Sequence, residues 1–177
     1  MRKSLKTALF FIGLLWIVHL ANLLIHIDLR YFGLHPRNPD LWWTLFSWPL
    51  LHGSLQHLIA NTVALFPLLV LAFGYNRRLT FKALALIYLL TGGLVWVFGR
   101  SNAVHIGASG IVFGLIGFLL FAGFFRKDWV AVAISLLVGL MYGGALASLL
   151  VYAPGLSWES HIFGFVSGIV AAGATRR

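Results

Sequence analysis

Six apolar runs, each near the length that a helix needs to cross hydrocarbon, leave this chain few ways to fold. They fall at roughly 8–25, 51–73, 81–98, 107–125, 129–151 and 159–174, set apart by charged residues, Pro or Gly. With 60% of 177 residues hydrophobic and 10% charged, one soluble core could not hide the apolar surface, so hydrocarbon has to solvate it. The expected architecture is an all-α membrane protein, with a single six-span domain over residues 1–177 and no internal repeat. The long connection from His26 to Leu50 carries Trp42, Trp43, Phe46 and Trp48 with few charges, which places it in the membrane interface. Tyr152 to Trp158 reads as a short turn.

The start of the chain resembles a secretory signal, with Arg2, Lys3 and Lys6 ahead of an apolar stretch. That stretch is long for a signal core and no small-residue cleavage site follows it, so it reads as a retained first span. The net charge of +9 is not a nucleic-acid footprint, because the basic residues sit in short clusters between spans. Arg2, Lys3, Lys6, Arg77, Arg78, Lys82, Arg126, Lys127, Arg176 and Arg177 fall on one side of a six-span arrangement. Only Arg30, Arg37 and Arg100 fall on the other. Both termini are therefore expected to be cytoplasmic, and that requires an even number of spans.

In this topology the second, fourth and sixth helices enter from the non-cytoplasmic side. Their early turns hold the costly polar residues: His52, His57 and Asn61 on the second, Ser109 on the fourth, His161 on the sixth. Sharing one depth, they imply a wet pocket that opens outward.

The chemistry open to that pocket is narrow. The only carboxylates are Asp28, Asp40, Asp128 and Glu159, and none lies deep in a span, which excludes a paired-carboxylate protease. There is no H-E-x-x-H for a helix-borne zinc protease and no cysteine for a thiolate. A serine and a histidine remain, and a neutral imidazole can activate a hydroxyl. Glu159 precedes His161 by two residues and so lies nearly opposite on a helix, which gives it no orienting role as a third member. His57 and Asn61 are four apart and share a face. With the Ser109 amide they can donate to a developing oxyanion, at the positive end of the fourth helix. Gly107 and Gly110 let backbone approach a substrate carbonyl.

Together these residues resemble the rhomboid family of intramembrane serine proteases. The family pattern is H-x-x-x-x-H-x-x-x-N on the second span, G-x-S-G opening the fourth, and a histidine followed by glycines on the sixth. Here they read His52-Gly-Ser-Leu-Gln-His57-Leu-Ile-Ala-Asn61, Gly107-Ala-Ser109-Gly110, and His161-Ile-Phe-Gly164 continuing to Gly168. The resemblance covers nearly the whole chain and implies a six-helix rhomboid-like bundle. It implies a dyad of Ser109 and His161, with His57, Asn61 and the Ser109 amide as the oxyanion hole. By the same resemblance Gly107 shapes the loop before the serine, and His52 is structural or organises water. Substrates would be single-span membrane proteins cut in or near their spans, admitted past the fifth helix and its following loop, with no cofactor. Two positions depart from the pattern: Trp42-Trp43 replaces a common Trp-Arg pair, and Phe113 stands where a tyrosine often packs on the dyad histidine. A phenyl ring keeps that contact and loses the hydroxyl.

Plainer readings exist for each residue. Ser109 among Gly107, Gly110, Gly114 and Gly117 also suits a small-residue packing face, and Gly164 with Gly168 or Gly139 with Gly143 suit packing notches. His161 and Asn61 could be interhelical hydrogen-bonders, and His19, His26, His35 and His105 have no assigned role. At the level of function, the competitors are an inactive rhomboid-like binder of membrane helices, a channel or transporter, and a zinc site on His52, His57 and His161. Both dyad residues are present, no ionisable relay crosses the membrane, and no carboxylate base stands by a metal, so the protease reading leads. The lack of a transit segment and the short six-span form point to a prokaryotic plasma membrane.

Overall fold

The helix at the centre of the bundle is the one that carries Ser109. In the computed structural model, which describes residues 1–25, 28–151 and 157–176, six α-helices follow in order. They are α1 (Arg2–Ile25), α2 (Leu55–Tyr75), α3 (Arg77–Phe98), α4 (Ser109–Arg126), α5 (Trp129–Ser148) and α6 (Trp158–Ala174). The expected turn at Tyr152–Trp158 lies mostly outside the described residues, as do His26 and Arg177. Helices α1 to α5 are each long and apolar enough to cross a membrane. Helix α6 has 17 residues, about 26 Å at the standard rise and near the lower limit for a span.

Burial ranks the helices. The most apolar stretch of α4 is 61% buried inside the protein, whereas that of α5 is 17% buried. Helix α4 is ringed by neighbours because glycine lets them close in. A Cβ at Gly164 would strike the Gly110 carbonyl, and one at Gly168 would strike the Gly114 carbonyl. Gly139 and Gly143 have the same spacing but make no such notch. Gly143 has nothing within 4 Å, and Gly139 meets only a Leu120 methyl of α4 at 3.7 Å, an ordinary contact that needs no glycine. On α1 the buried residues are Ser4, Ala8, Ile12, Leu15 and His19, a stripe at three-to-four spacing that packs on α2.

The connections are short where a polar side chain starts the next helix. Asn76 ends α2 by donating its N–H to Ala72 O, and begins α3 by accepting from the Leu79 N–H at 3.1 Å. Asp128 caps α5 by accepting from the Ala131 N–H at 2.8 Å. The connection before α2 is three short 3-10 turns, Leu29–Phe32, Pro39–Phe46 and Trp48–Leu50. Trp48, expected among the interfacial aromatics, is a core residue at 1% exposure, stacked on Tyr88 with ring centres 6.4 Å apart. Trp42, at 58% exposure, remains on the surface.

Candidate active site

Three helix starts converge on one cavity, and local chemistry fixes the first two. Helix α2 begins at Leu55 because Ser54 Oγ accepts from the His57 N–H at 3.1 Å. His52, expected on this helix, therefore precedes it by three residues. Helix α4 begins at Ser109 itself, after Gly107 turns the chain at a φ of +104°. A Cβ on Gly107 would lie 2.6 Å from the His57 ring, so glycine serves both the turn and the close approach. The Gly107 N–H donates to Trp48 O at 3.0 Å, which ties the serine loop to the buried tryptophan. A Cβ on Gly110 would meet the same indole at 2.8 Å. In α6, His161 stands in the first turn and its N–H donates to Ser157 O at 3.3 Å.

Ser109, His161, His57, Asn61, Phe113 and Tyr142 are among the residues that line a cavity of about 640 Å³. Phe113, one turn after Ser109, stacks on the His161 imidazole with ring centres 4.4 Å apart and planes 22° from parallel. That contact limits how the imidazole can turn. Asn61 is buried and its Nδ2 donates to His57 O at 3.0 Å, leaving a second N–H. His52 stands behind this cavity, with its ring centre 5.0 Å from that of His57, and lines a neighbouring cavity of about 310 Å³ with Asn22 and Arg30. Its ring bridges two backbone groups: Nδ1 lies 3.3 Å from Leu50 O, and Nε2 accepts from the Ala108 N–H at 3.5 Å. Burial, and then the nearby His57, lower the His52 pKa to about 4, so the ring is neutral and can accept.

The arrangement has the parts for acyl transfer. It holds a hydroxyl at a helix N-terminus, an imidazole in the same cavity, and N–H donors from α2 and from the start of α4. Among the described residues, no group of three or more His, Cys, Asp or Glu side chains is placed to hold a metal ion.

Several residues near the site carry no motif and are visible only in three dimensions. Trp48 supports the serine loop. Glu159, on the first turn of α6, takes the Arg100 guanidinium in a fork, with Nε at 2.5 Å from Oε1 and an Nη at 3.1 Å from Oε2. His105 Nδ1 lies 2.5 Å from Ser157 Oγ, which lies 2.5 Å from Ser160 Oγ. The hint in the sequence is that Arg100 and Glu159 are opposite charges at the ends of apolar runs, Arg100 just after the third and Glu159 at the start of the sixth.

The chain is similar to known proteins over most of its length. A family profile described as the Rhomboid domain matches residues 39–177. An uncharacterized protein of Mycobacterium tuberculosis is 40% identical over 94% of this chain and 72% of its own length. A counterpart in Mycobacterium leprae is 34% identical over 94% of this chain and 69% of its own. The rhomboid protease GluP of Bacillus subtilis is 30% identical over 75% of this chain and 26% of its own length.

Proposed function

Because the chain belongs to the rhomboid family of integral membrane proteins, we propose that it is an intramembrane serine protease with a Ser109–His161 dyad. The observation that carries the reading is the single cavity shared by Ser109, His161, His57 and Asn61, which come from three different helices. The positive-inside pattern supports cytoplasmic termini, with this cavity opening on the opposite side.

In the proposed reaction a membrane-spanning substrate enters between helices, unwinds locally and presents a carbonyl to Ser109 Oγ. His161 removes the hydroxyl proton as the Oγ–C bond forms, and the carbonyl oxygen becomes an anion. His57, the free N–H of Asn61 and the Ser109 amide stabilise that anion, and one such donor is typically worth about 2.7–4 kcal/mol of barrier. His161 then gives its proton to the departing amine. Water, activated by the same imidazole, releases the acyl group from Ser109. Phe113 holds the imidazole plane through both transfers. Substrates are other transmembrane proteins, and no cofactor takes part.

The test is a serine-directed fluorophosphonate probe and a single-span reporter, applied to the purified protein in detergent. Wild type should label and cleave, and Ser109→Ala should do neither. Labelling that survives Ser109→Ala overturns the nucleophile. A wild type that neither labels nor cleaves, where a related protease does both, points instead to a binder of membrane helices.

A further inference from the structure

Ser109 and His161 sit at the starts of two different helices, and something must hold those starts in register. The loop between α3 and α4 ends at Ser109, and two of its residues reach the first turn of α6. Arg100 grips Glu159 through the fork described above, and its own N–H also donates to Oε1 at 3.3 Å. The Glu159 side chain is only 11% exposed and that of Arg100 34%, so the pair is largely withdrawn from water. His105 is buried and is fixed from the other side by paired backbone bonds with Leu34, at 2.9 and 3.0 Å. It leads through Ser157 Oγ to Ser160 Oγ, also on α6. Ser157 lines the reactive cavity as well.

The angular placement makes this more than a general brace. Residues two apart on a helix point about 200° apart, so Glu159 is held on one side while His161 faces the cavity on the other. An imidazole stands about 6 Å from the helix axis, so a turn of α6 by about 10° moves it about 1 Å. A misplacement of that size can change a rate by about 100-fold.

We infer that Arg100 and Glu159, with the His105–Ser157–Ser160 chain, are positioning residues that set the rotation of α6 and so the place of His161 relative to Ser109. The inference rests on the protease reading. It extends it by assigning Glu159 to the geometry of the base through the helix rather than through a bond to the imidazole.

The experiment compares wild type, Glu159→Gln and Arg100→Lys as full chains in one detergent. Reporter kinetics and backbone hydrogen exchange are measured on each. Glu159→Gln should lower kcat by about 10- to 100-fold with KM within about twofold, because substrate binding does not pass through the pair. Exchange should quicken over residues 157–163 and stay unchanged elsewhere. Arg100→Lys keeps the charge but loses the fork, and should fall between the two. Unchanged exchange in Glu159→Gln overturns the clamp, and so does locally faster exchange with unchanged kcat, a change in KM alone, or a loss of protection spread over the whole chain. A wild type without activity defeats the protease reading instead, and the exchange arm then still decides whether the clamp exists.

Discussion

Gly107 carries two constraints at once, a left-handed backbone and a histidine ring where a side chain would begin. Gly107→Ala meets both, and a strained backbone position of this kind costs about 1–3 kcal/mol. The expected outcome is a lower melting temperature together with weaker fluorophosphonate labelling, since relief of the clash shifts His57 or the serine loop. His52 supports a pH prediction. Its pKa is lowered from the ordinary 6.5 to about 4, chiefly by burial, so the unfolded chain binds a proton before the folded one as pH falls. Stability from this group is therefore present above pH 6.5, is lost between 6.5 and about 4, and changes no further below that. In melting curves across this window, the fall in Tm should be shallower for His52→Gln than for wild type. That Ser109, His57, Asn61 and His161 would meet at one cavity was legible in the sequence, because their types and spacings are chemically particular. The support under them was not. Trp48 has the look of any interfacial tryptophan until the Gly107 N–H is seen to bond its carbonyl and Gly110 to lie on its ring.

Helices meet where small residues allow it, and α4 with α6 is the tightest meeting in the bundle. A Cβ at Gly168 would press on the Gly114 carbonyl and lie 2.7 Å from the Phe118 nitrogen, backbone atoms that cannot swing aside. Gly168→Ala should therefore destabilise the protein by about 1–3 kcal/mol, the usual range for overpacking. Gly143→Ala is the matched contrast. Nothing lies within 4 Å of its added methyl, and alanine favours a helix over glycine by up to about 1 kcal/mol. Thermal unfolding of the two variants in one detergent should move in opposite directions. The spacing of the glycines marks both pairs equally, because a repeat of four says only that two residues share a face. Whether another helix lies against that face is a tertiary fact. The start of α2 differs from the apolar run for a related reason: Leu51 and His52 fall within the run, while the side chain of Ser54 decides where the helix begins.

Across the whole molecule, burial falls from the centre of the bundle to α5, and it bears on how a substrate could arrive. The six helices were readable because apolar runs and their breaks are written in the order of residues along the chain. Which helix is least buried depends on packing that the linear pattern does not encode. Only Ala131, Val138 and Tyr142 of α5 are buried, and Leu136, Leu140 and Met141 face outward. Ser135 joins α5 to α4, its Oγ lying 2.8 Å from both the Leu119 and the Leu120 carbonyl oxygens, either of which can take its one proton. Towards α2, Tyr142 donates to Ala64 O at 2.7 Å, beside the cavity of Ser109 and His161 that both residues line. Under the proposed protease reading, a substrate helix entering between α2 and α5 has to part that bond. A hydrogen bond of this kind contributes about 0.5–1.5 kcal/mol, so its loss can raise the open population by up to about tenfold. Tyr142→Phe should then cleave a single-span reporter severalfold faster in liposomes. Labelling by a small water-soluble fluorophosphonate, which does not need a lateral opening, should stay at the wild-type rate. Equal acceleration of both reactions would place the effect on the chemistry of Ser109, and no acceleration of either would place the rate-limiting opening elsewhere in the bundle.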